Sequence, residues 1–287
     1  MNNILQVLEL CKSYGSFKLD NVTFDVPRGY VMGFVGPNGA GKTTTIKLIL
    51  GMIRADSGCI SVPDGRHIGV VMDAPLYVDD WTLNGVESAI SPFYQNWNTE
   101  KFSEYLKTFG LDAKKKVKEL SRGMKVKLQI AAALSHDAKL LILDEPTSGL
   151  DPVARDEICD LLREFVTDDS RSVLFSTHIT TDLEKTADYT TFILDGRIVF
   201  SGAKDALLEK YARVTGGLSE ITEEQKKLVI GYREHGTGFE GLIETANADK
   251  LPRGVLSEQA TLDEIIIFMN KGAKINEQAE SVRSVGL

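Results

Sequence analysis

The stretch Val31-Met32-Gly33-Phe34-Val35-Gly36-Pro37-Asn38-Gly39-Ala40-Gly41-Lys42-Thr43-Thr44 decides the fold. Its first five residues form an apolar run that reads as a buried strand, and Thr44 to Leu50 read as the first turns of a helix. Between them, Gly36 to Thr43 fit the spacing GxxxxGK[ST] of a phosphate-binding loop, in the strand–loop–helix context that this motif requires. Glycines let such a loop wrap closely, so that successive N–H groups point at phosphate oxygens, and the helix N-terminus adds partial positive charge. Gly36, Pro37, Asn38, Gly39, Ala40, Gly41, Lys42, Thr43 and Thr44 are therefore expected to cradle a nucleotide. In such a cradle Lys42 reaches the β- and γ-phosphates and the Thr43 hydroxyl ligates Mg²⁺.

Bulk properties narrow the class. The 287 residues suffice for one large domain, or one domain with an appendix. A hydrophobic share of 43% and a charged share of 26% are those of an ordinary soluble globular protein, and a net charge of −8 disfavours a bulk nucleic-acid binder. Cys11, Cys59 and Cys159 are odd in number and far apart, so they suggest neither a disulfide framework nor a metal site and fit a reducing cytoplasm. The opening Met1-Asn2-Asn3-Ile4-Leu5-Gln6 has no basic region ahead of an apolar run, so no signal peptide is expected. Apolar runs such as Ile265 to Met269 fall far short of the roughly 20 residues that a membrane span needs.

Along the chain, Leu5 to Val26 alternate apolar and polar residues and predict antiparallel strands, turned at Tyr14-Gly15; Pro27-Arg28-Gly29 is a second turn. Gly58 to Val62 and His67 to Met72 predict two more strands, separated by Pro63-Asp64-Gly65. From Thr82 to about Phe109 the pattern is helical with a break at Ser91-Pro92, and Phe93, Tyr94, Trp97, Phe102 and Tyr105 are expected in a helical-subdomain core. Lys114-Lys115-Lys116 reads as a solvated basic face. Ser121 is placed to cap a helix from Arg122 to His136. Leu140 to Leu143 and Ser172 to Ser176 predict buried strands, and strands alternating with helices imply a parallel sheet covered on its faces. Beyond Gly202, Lys226 to Tyr232 suggest a strand and Thr261 to Asn270 an amphipathic helix, giving a small α+β appendix from Asp205 to about Lys271; Ala273 to Leu287 are expected to fray.

In Leu140-Leu141-Ile142-Leu143-Asp144-Glu145-Pro146, four apolar residues followed by an acid put Asp144 at the C-terminal edge of a buried strand, beside the phosphate loop. Asp144 there suits Mg²⁺, through water, and Glu145 one residue on is placed to take a proton from an attacking water. Leu120-Ser121-Arg122-Gly123-Met124-Lys125 resembles the LSGGQ signature of ABC ATPases, in which a Ser hydroxyl and Gly backbone at a helix start make a second, outward-facing anion cradle. Ser148-Gly149-Leu150-Asp151 resembles that family's D-loop, and His178, after Ser176-Thr177, its γ-phosphate histidine. Tyr14 sits where the family stacks an aromatic ring on adenine, with a plain turn tyrosine as the alternative, and Asp195-Gly196-Arg197-Ile198 resembles its closing hairpin turn. The resemblance covers about Ile4 to Gly202.

The resemblance implies a fold: an α/β P-loop ABC ATPase core, built of a mixed sheet with an antiparallel β subdomain, a RecA-like core and a helical subdomain at about 76–136. The nucleotide-binding domain is expected over 1–204 and a C-terminal accessory region over 205–287. Two stretches depart from the family pattern. Asp73 stands where a Gln usually ends the strand after the P-loop helix; it is expected to reach Mg²⁺ or its water, with an ordinary turn acid as the alternative. Arg122 and Met124 replace the usual Gly and Gln of the signature, while Ser121 and Gly123 are kept. These departures, with Thr261-Leu262-Asp263-Glu264-Ile265, resemble the ATPase subunits of ABC-2 type exporters, in the group that includes the YtrB-like and bacitracin-export ATPases.

The resemblance further implies a head-to-tail dimer, either a homodimer or a pair with a sister ATPase. Each ATP would touch Lys42 and Thr43 of one chain and Ser121 and Gly123 of the other, and Asp151 of the D-loop is expected among the nucleotide-binding residues. Glu145 and His178 would orient the attacking water, and a separate integral-membrane permease would receive the work at the cytoplasmic face of the membrane. The rival reading is a soluble, non-transport ABC ATPase acting as a mechanical switch. Against it stand the single P-loop, the lack of a coiled-coil insert between Gly41 and Ser121, and the acidic charge.

Overall fold

The computed structural model describes residues 2–63, 65–73 and 77–272, and the chain divides into two compact units between Ser201 and Gly202. The sequence boundary expected at 204 lies just beyond that division. In the first unit the elements run β1 (Asn3–Tyr14), β2 (Phe17–Pro27), β3 (Val31–Val35), α1 (Lys42–Ile49), β4 (Ser57–Ser61), β5 (Ile68–Val71), α2 (Leu83–Ile90), α3 (Thr99–Thr108), α4 (Arg122–Leu134), β6 (Leu140–Asp144), α5 (Pro152–Phe165), β7 (Ser172–Thr177), α6 (Thr180–Thr186), β8 (Tyr189–Leu194) and β9 (Arg197–Ala203).

Two sheets share the first unit's core. The larger runs β5-β6-β7-β3-β8-β9, with β5 to β8 parallel along that order. Every residue of β3, β6 and β7 is buried, as expected of strands covered on both faces. The decisive register is that of β7, which lies between β3 and β6: Phe34 and Asp144 both pair with Ser176. The ends of three strands, carrying the phosphate loop, Asp144-Glu145 and Thr177-His178, therefore meet at one carboxyl edge, where parallel sheets present ligand sites. The smaller antiparallel sheet, β2-β1-β4, faces the larger one across a core in which Phe24 stacks on Phe34 at 5.2 Å. β8 and β9 are joined at Asp195-Gly196, with φ of 47° and 75°, the positive pair that a tight hairpin turn needs.

α2, α3, α4 and α5 each start where a short polar side chain satisfies free N–H groups. Thr82 accepts from Gly85 N, Asn98 from Lys101 N and Ser121 from Met124 N, while Asp151 with Pro152 behind it starts α5. The helical subdomain has its own core of Leu83, Val86, Phe102, Leu106, Val117, Leu120 and Leu128. Of the aromatics expected there, Phe102 is fully buried, Tyr94, Trp97 and Tyr105 are half-buried, and Phe93 is 78% exposed. Phe93 ends the short turn Ser91–Phe93 at the Pro92 break, and that change of direction points it away from the face that helical periodicity assigned to it.

The second unit contains α7 (Lys204–Lys210), β10 (Tyr211–Gly216), α8 (Glu223–Lys226), β11 (Ile230–His235), β12 (Gly238–Glu244), β13 (Leu256–Gln259) and a helix over 262–272. Its antiparallel sheet runs β11-β12-β10-β13 over Ala212, Val214, Phe239 and Ile243. The strand expected over Lys226 to Tyr232 starts only at Ile230: Thr222 and Gln225 cap one another, and this local bonding draws Glu223–Lys226 into a helical turn. Thr261 and Glu264 form the same reciprocal cap before the expected terminal helix. The tail from Ala273 to Leu287 lies outside the described residues.

Gly33, in the strand that feeds the phosphate loop, is required by a close approach rather than by its torsion angles. A Cβ there would meet Leu183 Cδ2 of α6 at 2.0 Å, and Leu183 is fully buried with no room to withdraw. Gly33→Ala is expected to cost about 1–3 kcal/mol by overpacking, seen as a lower urea midpoint for the full chain.

Candidate functional site

At the carboxyl edge of the larger sheet lies a cavity of about 500 Å³. Its wall contains Asn38, Gly39, Gly41, Lys42, Thr43 and Thr44 from the phosphate loop, with Glu145, Ser148 and His178 opposite, and Asp73 and Phe17 at its sides. Gly41 ends the loop at φ 111°, a backbone region that side-chain-bearing residues avoid, and Thr45 Oγ1 bonds its carbonyl at 2.9 Å as α1 begins. Lys42 is buried, and its Nζ donates to the Gly36 and Pro37 carbonyls at 2.7 and 3.2 Å. The loop thus aims its own cation into the cavity. Ala40 is buried inside the turn, with its N–H on Pro37 O, and serves the loop's shape.

Glu145 bridges the cavity's two cationic and titratable partners. Oε1 lies 3.1 Å from Lys42 Nζ and Oε2 lies 2.7 Å from His178 Nδ1. Glu145 has φ 50°, an unusual value for a non-glycine residue and one that functional sites tend to concentrate. Its conformation is held by Ser176: Glu145 N donates to Ser176 Oγ at 2.9 Å, and that hydroxyl donates to Asp144 Oδ1 at 2.7 Å. Asp144 is buried just beneath, with one oxygen committed to Ser176. A second anchor lies behind: Asp182, also buried, accepts from Thr147 Oγ1 at 2.6 Å and from Arg155 Nη2 at 2.7 Å. It ties the chain after Glu145, the helix after His178 and the helix after Asp151 into one block.

The hydroxyl of Thr43 and the carboxylate of Asp144 are hard oxygen donors of the kind Mg²⁺ selects. Among the described residues no cluster of three or more His, Cys, Asp or Glu side chains is arranged to hold a metal unaided. That donor set fits a Mg²⁺ that takes most of its ligands from phosphate and water. Asp73, expected as a further metal ligand, does stand in the cavity wall, but its carboxylate is ion-paired to Arg122.

Other expected site residues lie elsewhere. Tyr14 is exposed beyond the cavity wall, with Lys12 Nζ 5.3 Å from its ring centre. The aromatic in the wall is Phe17, which pairs with Tyr14 across the β1–β2 turn. Cross-strand partners share one face of a hairpin, so choosing between the two aromatics depends on which strand of the turn lies against the cavity. Ser121, Gly123 and Asp151 are also absent from the wall. Gly123 packs near Leu150 and Ala154, and Asp151 Oδ1 accepts from Val153 N and Ala154 N, both at 3.0 Å. Ser176 and Ser148 carry site roles that the sequence does not announce; Ser176 becomes visible only once β7 is known to lie between β3 and β6.

A second, mainly apolar groove of about 370 Å³ opens between β5 and the helical subdomain. Trp81, Ile90 and Phe93 form its rim, and Tyr94 stacks on buried His136 with centroids 3.9 Å apart. Burial pushes the Tyr77 and Tyr94 phenols above their ordinary pKa, so both stay neutral. Gln129 of α4 reaches across the floor, accepting from Met72 N at 3.0 Å and donating to Met72 O at 3.1 Å, beside Asp73.

The sequence profile of the ABC transporter family matches residues 19–148. The chain is 32% identical to the bacitracin transport ATP-binding protein of Bacillus licheniformis, over 82% of this chain and 80% of that protein. It is 35% identical to a lantibiotic transport ATP-binding protein of Streptococcus pyogenes, over 70% of this chain and 92% of that one. Among solved structures it is similar to cbiO1 from Clostridium perfringens, part of the ABC transporter complex cbiONQ. The two share 26% identity at a TM-score of 0.62, over 72% of this chain and 91% of that chain. A structure described as the ATP binding subunit of an ABC transporter gives 29% identity and a TM-score of 0.64, over 71% and 91%.

Removing the Ser176 hydroxyl leaves the buried Asp144 carboxylate and the Glu145 N–H each one partner short. Ser176→Ala is expected to destabilise the protein by about 1–3 kcal/mol, measured by chemical denaturation, and to lower ATP turnover at unchanged ATP affinity.

Proposed function

The chain belongs to the ABC transporter family as an ATP-binding, ATP-hydrolysing subunit, and on that premise we propose how its site works, what it pairs with and what it drives. The observation that carries the proposal is the bridging position of Glu145, between Lys42 of the phosphate loop and His178 at the end of the neighbouring strand. A γ-phosphate in this cavity competes with Glu145 for the Lys42 ammonium. Glu145 freed from Lys42 is a carboxylate at the cavity wall, fixed at its backbone by Ser176 and within hydrogen-bond reach of His178. It is placed to accept a proton from an attacking water, and His178 to orient that water and the γ-phosphate. Lys42 and the loop N–H groups offset charge that develops on the transferred group. Mg²⁺, held by Thr43 and through water by Asp144, supplies further positive charge at the phosphates when bound.

The position of Ser121 and Gly123 outside the cavity supports a head-to-tail dimer, in which each subunit's signature completes the other's nucleotide site. Ser121 Oγ accepts from Met124 N, which leaves its own proton free to donate to a phosphate oxygen. Phe17, with Tyr14 beyond the turn, supplies the aromatic surface for the base. ATP binding then closes the pair and hydrolysis releases it.

The groove rimmed by Trp81, Ile90 and Phe93 suits an apolar segment of a membrane permease, and Gln129 on its floor links that contact to Met72 and Asp73 at the nucleotide cavity. Among the described residues no helix is long and apolar enough to cross a membrane, which supports peripheral attachment through such a partner at the cytoplasmic face. Relatives named for bacitracin and lantibiotic transport, with the ABC-2 exporter features of the sequence, support export as the direction of transport. The nucleotide-binding domain ends near 204 on this reading, and the unit beyond it is accessory.

Glu145→Gln is expected to keep ATP affinity, lower turnover by about 10²–10⁴-fold, and accumulate an ATP-bound dimer on size exclusion; wild-type turnover in the purified variant would refute the assignment. Phe93→Asp is expected to leave ATP binding intact while abolishing co-purification with the permease from detergent-solubilised membranes.

A further inference from the structure

One ion pair joins parts of the molecule that the sequence motifs keep apart. Arg122, the first residue of α4 and the neighbour of Ser121, is paired with Asp73. Asp73 belongs to the wall of the nucleotide cavity and Arg122 does not. The Arg122 side chain also lies over Gly149: a Cβ at Gly149 would have Arg122 Nε at 3.5 Å and its Cδ and Cζ at 3.6 Å. Gly149 in turn follows Ser148, another residue of the cavity wall. The guanidinium is therefore a three-way joint between the cavity wall, the loop ahead of Asp151 and the helix start that bears Ser121.

The pair is half-exposed at both ends, with side-chain exposures of 48% and 54%, so it is weak and rearranges at little cost. Two turns further along α4, Gln129 holds Met72 by two hydrogen bonds, so the helix meets the residues 72–73 at two separate points. Both members of the ion pair are among the three positions at which the sequence departs from the family pattern; a guanidinium with a carboxylate partner couples two of them, and Met124 has no such partner in the pair.

We propose that Arg122 is a positioning residue. Braced on Asp73, it holds the Ser121 end of α4 and the Gly149 loop in the orientation that a second subunit's nucleotide requires. It thereby links each subunit's own cavity to the half-site that the subunit presents. Asp73 acts through Arg122 rather than as a metal ligand. The inference rests on the head-to-tail dimer reading.

The test uses the full-length chain carrying Glu145→Gln as parent. ATP-dependent dimerisation is followed by analytical ultracentrifugation, and nucleotide affinity separately with a fluorescent ATP analogue over a Mg²⁺ titration. The variants added are Arg122→Ala, Asp73→Ala, the two together, and Asp73→Glu. Arg122→Ala is expected to bind nucleotide with the parent's affinity and Mg²⁺ dependence, Asp73→Ala to keep the parent's Mg²⁺ dependence, and each to dimerise about fivefold more weakly. The double variant is expected to be no weaker than either single one, and Asp73→Glu to restore dimerisation. Parent-like dimerisation by Arg122→Ala overturns the proposal. So do losses that multiply in the double variant, since Arg122 would then act on the partner without Asp73. A weakened Mg²⁺ dependence in Asp73→Ala overturns it as well, by making Asp73 a metal ligand. If the parent binds nucleotide yet never dimerises, the dimer reading itself fails, and this inference fails with it.

Discussion

Parallel pairing of three fully buried strands is the constraint on which the site depends. β7 hydrogen-bonds to β3 on one side and to β6 on the other, so Phe34, Ser176 and Asp144 are held in one row across the sheet. Nothing in the separate stretches around Lys42, Glu145 and His178 would bring them together. The register does so, and it is over-determined, because a slip in any of the three strands would send each side chain to the opposite covered face, where it does not fit the packing. Gly33 tightens the same arrangement by letting α6, which follows His178, pack directly on β3. Rigid strands therefore set the distances, and the short loops at their ends only aim the functional groups.

The electrostatics follow from that geometry. Lys42 is nearly inaccessible and would carry a large desolvation cost if left alone, and its two carbonyl partners and Glu145 offset that cost. A pair of this kind is a poor source of net stability but a good device for exchange. The ammonium needs an anion, and a nucleotide phosphate can replace Glu145 without leaving the buried cation unpaired. Glu145 pays for its place with a left-handed backbone, and the Ser176 bond is what keeps it there. The strain is confined to one residue, and it turns the carboxylate across the cavity rather than along the strand.

Much of this was legible in the sequence where chemistry and spacing coincide locally. The glycine loop before Lys42-Thr43, the run of four apolar residues before Asp144-Glu145, and Ser121 ahead of α4 each announced an element within a few residues. What stayed hidden depends on contacts between distant segments. Phe17 and Tyr14 are cross-strand partners that differ only in which strand of the hairpin carries them. Ser176 is an unremarkable strand residue until its two neighbours are known. Phe93 fitted a helical stripe, but Pro92 redirects the chain and leaves the ring on the rim of a groove. Lys226 to Tyr232 had the composition of a strand, and the Thr222–Gln225 cap outweighed it locally.

The polar groups of the signature and the D-loop are only partly spent inside the subunit, and this bears on why the proposed site is divided between two chains. Ser121 uses an oxygen lone pair to cap α4 and keeps its proton. Asp151 caps α5 through Oδ1 alone, accepting from two backbone N–H groups there. Ser121 thus builds its helix with its oxygen and keeps a donor at a helix N-terminus, where anions are favoured, whereas the second oxygen of Asp151 is an acceptor and suits a donor instead. A single subunit has Lys42 and Glu145 neutralising one another in the cavity, and the Ser121 hydroxyl at a helix start outside it. Bringing two such subunits together head to tail, with a nucleotide to take Lys42 and to accept from that hydroxyl, would satisfy both at once. Neither the nucleotide nor the second subunit would achieve that alone, and in the proposed dimer this mutual dependence would make closure contingent on ATP.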